Sequence, residues 1–402
     1  MAVGRRTFLL GTLASTLSGP MASRPVFGYQ AGEAIRIGVI GYGGRCRALV
    51  NELLKFGGVQ LTAVCDVYEA NRLAAAQTAG PNAFVTGDHR ALLDRPDVDA
   101  VLVATPDHHH VPITIDACRA GKHVYVEKPL THDLAEGKAV LAAEADSKVI
   151  VQVGMQQRSM PHLQEAREIL RSGELGTIRK VHLTWNRNQP RGNRNPPIDP
   201  AKVDWKRFLG NAPDQPFDPY RMVEWRWFWD FGGGIFTDLM VHWMDVVNWY
   251  LDLEEPNSAA AIGDHFLGHA DWETPDTAQT LVHYPQKGVQ VYFEGTFCNH
   301  RNRAMTEFMG TGGTLYIDRG RYEIHPENGK GKYREKVLGQ GGRGLDFYNE
   351  PPAEKYHLED WLNAIREGRP ARCPASAGVL AVLASHLSNK SYRSGQVAHW
   401  SS

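Results

Sequence analysis

The stretch Ile35-Arg36-Ile37-Gly38-Val39-Ile40-Gly41-Tyr42-Gly43-Gly44-Arg45-Cys46 decides how the first third of the chain is read. Its first six residues form a short β-branched run bounded by glycine, the pattern of a buried strand. A glycine-rich turn then leads into an amphipathic segment, residues 48–56. In such a strand–turn–helix unit Gly41 permits the tight turn, and Gly43 lets the backbone approach a pyrophosphate at the helix N-terminus. The third small position holds Cys46 where glycine is usual, still small enough for close helix–strand packing. Gly41, Tyr42, Gly43, Gly44 and Arg45 are therefore the expected phosphate-side contacts of a dinucleotide.

Working outward, a second apolar strand pattern at residues 61–65 ends at Asp66, roughly 25 residues after Gly41, where an acid can accept hydrogen bonds from an adenosine ribose. A carboxylate there repels a 2′-phosphate, so NAD is expected in preference to NADP. Helical patterns at 70–79 and 90–94 alternate with strand patterns at 100–104 and 123–126, a βαβ series that predicts a doubly wound parallel sheet over residues 33–155. Two of its strand ends carry chemistry: Thr105-Pro106-Asp107-His108-His109-His110 and Glu127-Lys128-Pro129-Leu130. Ligands of open α/β sheets bind beyond the carboxyl ends of the strands, where both segments fall. Adjacent histidine side chains diverge, so no metal site is expected, and the three are read as exposed loop residues.

Composition bounds the remaining possibilities. With 402 residues, 42% of them hydrophobic and 22% charged, the chain is globular in type and long enough for two domains. Its formal charge of −1 lacks the basic footprint that generic nucleic-acid binding requires. Cys46, Cys65, Cys118, Cys298 and Cys373 show no CxxC spacing, which argues against a disulfide framework or structural zinc. The N-terminus, Gly4-Arg5-Arg6-Thr7-Phe8-Leu9, places two arginines before a short apolar run, like a twin-arginine export signal. That run falls short of the ~20 residues of a membrane span. Residues 1–32 are thus expected to be a signal and tail, handled by the twin-arginine machinery and directing the protein to the periplasm or beyond.

In the second half, Gly232-Gly233-Gly234 opens a nearly all-apolar helical stretch running to Leu251. Against that background Asp238, His242 and Asp245 stand at i, i+4 and i+7, a polar stripe on one helix face. Such a stripe serves either as a buried pair that orients the helix or as a cleft face offering a general base beside a carboxylate. Trp225, Trp227, Phe228 and Trp229 crowd just upstream and suit either core packing or stacking on a sugar. Strand patterns at 178–185, 278–284, 289–297, 306–309 and 314–317 predict an antiparallel sheet with one solvated face. The loop from Arg187 to Pro197, rich in Arg, Asn and Pro, is a candidate cap over a cleft. Residues 354–366 read as a helix.

Several of these pieces resemble the Gfo/Idh/MocA family: the Gly41/Gly43 turn, Thr105-Pro106 with His110, Glu127-Lys128-Pro129, Gln152-Val153-Gly154 with Arg158, and Gly234-x-x-x-Asp238-x-x-x-His242. The resemblance implies a Rossmann domain at 33–155. After it, over 156–402, comes an α/β substrate domain with an open, mostly antiparallel sheet and C-terminal helices. It also implies that Thr105, Pro106, His110, Glu127 and Lys128 face the cofactor, and that Lys128, Asp238 and His242 are catalytic. Arg158, Trp185, Trp229 and Asp245 are the expected substrate contacts. The implied partners are a small carbohydrate and further copies of the chain. The implied activity is an oxidoreductase moving hydride between a sugar or polyol hydroxyl and NAD. Export favours a tightly carried cofactor, since no free NAD pool exists outside the cytoplasm; such a cofactor must be regenerated by a second substrate or by the reaction itself, which favours a redox-neutral alternative. The alternative is a redox-neutral glycosidase that oxidises, eliminates, hydrates and returns the hydride. A non-enzymatic sugar-binding module would have lost Lys128 or His242, and both are present.

Overall fold

The computed structural model describes residues 33–188, 196–267, 272–327, 329, 331–338, 342–344 and 353–400. The Arg5-Arg6 segment and most of the Arg/Asn/Pro loop lie outside the described residues. The first sheet consists of β1 (Ile35–Ile40), β2 (Val59–Cys65), β3 (Phe84–Thr86), β4 (Ala100–Val103), β5 (His123–Val126) and β6 (Val151–Val153), all parallel, in the order 3-2-1-4-5-6. Helices α1 (Gly44–Leu53), α2 (Glu69–Ala79), α3 (His89–Leu93), α4 (His110–Arg119) and α5 (Glu136–Asp146) make the crossovers. β4 and β5 are buried along their whole length, as strands covered on both faces must be, and they read as continuous apolar runs for that reason. Strand order reverses between β1 and β4, and the crevice there is the ligand position of this topology.

Helix α6 (Pro161–Arg171) leads into a second sheet. In chain order follow β7 (Ile178–Asn186), α7 (Trp205–Leu209), α8 (Pro219–Val223), α9 (Val241–Leu251), β8 (Ser258–Asp264), β9 (Thr277–Tyr284), β10 (Val289–Thr296), β11 (Ala304–Gly310), β12 (Gly313–Ile317), β13 (Arg321–Pro326) and β14 (Arg334–Val337). Helices α10 (Ala353–Glu367) and α11 (Ala375–Ser394) and the short β15 (Ala398–His399) complete the described chain. The sheet order is 14-13-12-11-7-10-9-8-15, with β7 and β10 parallel and the other pairs antiparallel. β9 and β10 alternate buried with more exposed positions, the mark of a sheet with one covered face. This is the α/β architecture expected: a doubly wound parallel sheet and a mostly antiparallel partner.

The C-terminal helices do not keep to the second sheet. Leu358, Trp361, Leu362 and Ile365 of α10 share a core with Ile35, Ile37, Val39 and Leu49 of the first. α11 divides itself, giving Ala381 and Val382 to the first sheet's core and Ala384 and Leu387 to the second's. The apolar face of the 354–366 helix covers β1 and α1, a long-range pairing that its local pattern does not specify.

The stretch from Phe236 to Met240 is a π-helical turn, which passes at Val241 into α9. The helical run that contains it begins at Gly234, whose φ of +66° favours glycine and whose Cβ would come within 2.5 Å of Thr274. The expected single stripe of Asp238, His242 and Asp245 is divided between two surroundings. Asp238 and His242 face the crevice; Asp245 turns away and is fully buried.

Candidate active site

A cleft of about 1530 Å³ runs between the two sheets at the β1/β4 crevice. It exceeds the roughly 300–1,000 Å³ of a single-ligand pocket and has room for a dinucleotide and a second small molecule.

One half is built by the glycine-rich turn. Gly41 has φ +82° and lies so close to the Thr105 backbone that a Cβ would meet it at 2.9 Å. At Gly43 and Gly44 a Cβ would meet nothing within 4 Å, and α1 starts there without a side-chain cap, leaving its first amides available to an anion. Asp66 lines the cleft and accepts from the backbone amides of Tyr42 (2.6 Å) and Tyr68 (2.8 Å) and from Asn71 Nδ2 (3.2 Å). Burial raises its pKa while these bonds oppose the rise. Tyr42 contributes its amide here, its ring being buried and its hydroxyl donating to Thr78. Arg45 donates from Nε to Glu127 (2.8 Å) and from Nη1 to Glu354 (2.7 Å), and these partners keep it charged against burial. Gly154 is explained by the same carboxylate: a Cβ there would approach Glu127 Oε1 to 2.9 Å. His110 bridges the two strand ends, with Nδ1 2.7 Å from the Pro129 carbonyl and Nε2 2.9 Å from that of Thr105.

In the other half Lys128 Nζ donates to Asp238 Oδ1 and to the Asp238 carbonyl, both at 2.7 Å. Arg226 Nε reaches the same carboxylate oxygen at 3.3 Å. Burial alone would raise the pKa of Asp238, but Lys128 and Arg226 hold it below the ordinary carboxylate range. His242 is stacked on Trp185, ring centroids 5.0 Å apart, with Nδ1 buried and without a hydrogen-bond partner. Burial, and after it the charges of Lys128, Arg319, Arg45 and Arg187, push its pKa well below the usual value and keep the ring neutral. A neutral imidazole next to a lysine–carboxylate pair can accept a proton from a hydroxyl placed between them.

The residues fit a nicotinamide dinucleotide. Open amides at a helix start, a carboxylate at the end of β2, and two buried unpaired polar atoms in the cleft lining, Arg45 Nη2 and Thr105 Oγ1, supply its complement of partners.

The structure therefore brings together Lys128, Asp238, His242, Trp185, Asp66 and the turn residues, and it separates three others from them. Arg158 and Asp245, expected at the substrate, bind each other instead: Arg158 Nε lies 2.9 Å from both carboxylate oxygens and Nη2 2.7 Å from one. Neither lines the main cleft. Trp229 lies outside it too, against Tyr392 and beneath Arg393. The three histidines are not exposed. His108 and His110 are buried, and His108 and His109 each place Nε2 2.8 Å from the Phe208 carbonyl, fastening α7 to the first sheet. Among the described residues no cluster of three or more His, Cys, Asp or Glu could hold a metal ion. No helix among them is long and apolar enough to cross a membrane.

Sequence reasoning missed Arg226, Arg319 and Glu354, which line the cleft. Arg226 lies inside the tryptophan cluster and was the available signal; Arg319 and Glu354 reach the cleft from distant segments without a local motif. Asp107 is buried with Oδ1 unpaired, and burial, against the pull of Lys128, pushes its carboxyl well above the usual range.

Several known proteins are similar to this chain. Myo-inositol 2-dehydrogenase of Thermotoga maritima is 24% identical over 366 residues, 89% of this chain and 96% of that one. A glycosyl hydrolase family 109 protein of Saccharopolyspora erythraea is 44% identical over 109 residues, 25% of this chain and 24% of that one. The structure of a levoglucosan dehydrogenase in complex with NADH and levoglucosan superposes with a TM-score of 0.70 at 20% identity, covering 91% of this chain and 99% of that one. Residues 35–155 match the model of an oxidoreductase family with an NAD-binding Rossmann fold, and residues 206–316 match the GFO/IDH/MocA C-terminal domain. Both matches are to one family and together cover more than half of the chain, which belongs to the Gfo/Idh/MocA oxidoreductases.

Proposed function

We propose that the protein is an NAD-dependent oxidoreductase that takes a hydride and a proton from a hydroxyl-bearing carbon of a sugar or polyol. The observation that carries this reading is the Lys128–Asp238 pair beside the neutral, stacked His242, at the mouth of a Rossmann crevice. Bound nicotinamide supplies the hydride acceptor. The protein supplies the rest. His242 takes the hydroxyl proton, and Lys128 stabilises the negative charge that develops on the oxygen. Asp238 fixes the ammonium at 2.7 Å and takes a hydrogen bond from the substrate. Asp66, a carboxylate lining the cleft at the end of β2, supports NAD over NADP because it would repel a 2′-phosphate. The Arg5-Arg6 segment supports export with the nucleotide already bound.

A second reading has one observation in its favour, the local similarity to a glycosyl hydrolase family 109 protein. In that case the hydride taken from the sugar returns to it after elimination and hydration. Incubating the NAD-loaded protein with polyols and with aryl glycosides separates the two. The oxidoreductase reduces added NAD in proportion to product, or needs a second carbonyl substrate to reoxidise the bound nucleotide. The hydrolase releases aglycone at constant nucleotide redox state and incorporates solvent deuterium next to the transient ketone.

A further inference from the structure

The segment from Lys202 to Gly210, which carries α7, follows β7 of the second sheet in the chain yet is fastened along the strand ends of the first. Val203 forms an antiparallel bridge with Tyr68, and the Asp204 amide donates to the Val67 carbonyl at 2.9 Å, both just past the end of β2. Arg207 Nη2 reaches Asp88, just past β3, at 2.9 Å. The Phe208 carbonyl lies 2.8 Å from Nε2 of both His108 and His109, just past β4. Gly210 then passes so close to His109 that a Cβ would meet its ring at 2.5 Å, and its φ of +56° favours glycine. The first sheet is ordered 3-2-1-4-5-6, so these anchors stand on both sides of β1, whose end is the glycine-rich turn. On its other side the segment is rooted in the second sheet's core. Phe208 and Leu209 are buried there, and Trp205 stacks on Phe208 with ring centroids 4.8 Å apart.

Asp204, Lys206, Arg207 and Phe208 line the same cleft as Asp66 and Thr105, which mark the ends of β2 and β4. A dinucleotide with its pyrophosphate at α1 and its ribose at Asp66 has its adenosine on the β2 side of the crevice, against this segment. We propose that residues 202–210 form a strap over the adenosine end of bound NAD, and that the nucleotide leaves only when the strap lets go of the first sheet. The inference rests on the dinucleotide reading of the cleft and adds how its occupancy is controlled. The two sets of anchors suit a gate. Toward the first sheet they are polar, the Arg207 side chain being half exposed, and such links exchange with water at small net cost. Toward the second sheet they are aromatic and packed. The strap can therefore open as a local unit while its Trp205–Phe208 root stays in place. Nucleotide exchange becomes a slow step of its own, separate from the chemistry at Lys128 and His242.

The test measures how fast NADH enters and leaves the full chain, by tryptophan-to-NADH energy transfer on mixing and on chase with excess NAD. Asp204 caps α7 at the Arg207 amide and pairs with the Arg207 guanidinium, so Asp204→Ala/Arg207→Gln loosens the strap at two points. In this variant entry and exit should both quicken about tenfold while affinity stays within about threefold, because a loosened gate speeds both directions. Unchanged rates overturn the proposal. So does a faster exit with unchanged entry, which would make these side chains ordinary nucleotide contacts. A second variant works in the opposite sense. Residues paired across an antiparallel bridge lie within reach of a disulfide, so Tyr68→Cys/Val203→Cys can be loaded with NADH and then oxidised, the bond being located by mass. The oxidised protein should keep its NADH about tenfold longer or more than the same protein after reduction. Equal retention overturns the proposal even if the loosened variant fails to fold, and so does a pair that oxidant cannot join in the loaded protein. A wild-type chain that takes up no NADH refutes the dinucleotide reading itself, a result distinct from ordinary binding with ungated rates.

Discussion

Asp238 and Asp245 lie on one continuous run of chain, and each accepts a 2.7 Å bond from a cationic side chain. There the likeness ends. Asp238 keeps 12% of its side chain exposed, shares its oxygen between Lys128 and Arg226, and borders the cleft. Asp245 is wholly buried, and the guanidinium of Arg158 alone engages both of its oxygens. A lysine is a compact point charge on a flexible stem, able to serve a second partner; the guanidinium fork fixes an orientation. The first pair is open to a further partner from the cleft, and the second is closed. The same ion-pair chemistry is thus set in two environments on one helical run.

The largest effect is expected at the open pair. Lys128→Met, and separately His242→Ala, should cut turnover by about 10²–10⁴-fold while leaving the melting transition and nucleotide binding in place. Near-full turnover in His242→Ala would reduce that ring to a packing element and erase the contrast.

At the closed pair the loss should be one of stability. Arg158→Met strands a buried carboxylate and should cost about 3–5 kcal/mol in urea unfolding, most of it recovered in the Arg158→Met/Asp245→Leu double variant. Specific activity of the folded fraction should stay within the same order of magnitude. A variant with normal stability and no turnover would put Arg158 back at the substrate.

Acid should distinguish the pairs less directly. Asp238 stays ionised and His242 neutral well below neutrality, so the open pair does not set the acid limit of activity. That limit belongs to buried histidines whose folded pKa is lowered, chiefly by burial: His109, His162, His357 and His386, each to about 4. Above the unfolded value of about 6.5 neither state binds the proton and stability is full. As pH falls from there toward 4 the unfolded chain gains protons first, and stability should drop by about 1.4 kcal/mol per pH unit for each histidine held neutral. Unfolding and kcat/KM measured together from pH 7.5 to 4.5 should decline together. Activity lost at constant stability would show the site itself titrating.

The smallest effect is expected at a third buried carboxylate, held by amides rather than by a cation. Asp66→Ser should shift the ratio of NAD to NADP affinity toward NADP by about tenfold, near 1.4 kcal/mol. A wild-type preference for NADP, measured by nucleotide titration, would remove the repulsion argument altogether.

What could be read from the sequence follows from how local its causes are. The β1 turn, Asp66, Glu127-Lys128 and the Asp238/His242 spacing each follow from neighbours within a strand end or one helical turn. The i, i+4, i+7 spacing puts Asp245 on the face of Asp238 and His242, but nothing local says that Arg158 meets it in the core. The histidines of residues 108–110 look like a polar loop until α7 is packed over them, since only then do their ring nitrogens meet the Phe208 carbonyl. Arg319 and Glu354 join the cleft through tertiary contacts alone. Arg158 was placed by resemblance, and the resemblance could not say which way its guanidinium points.

The packing of α10 on the first sheet bears on the order in which the protein can be made. Arg45, on the phosphate side of the turn, is held by Glu354, a residue 309 positions later in synthesis, from the same helix that places Trp361 over the β1 core. A nascent chain halted before α10 would have its six parallel strands translated, yet β1 and α1 would lack their covering layer and Arg45 one of its two partners. Competence to load nucleotide would then be acquired late, near release from the ribosome. A premature stop after β14 would yield not a free-standing nucleotide-binding fragment but a chain with an uncovered apolar face, exposed to chaperones and proteases.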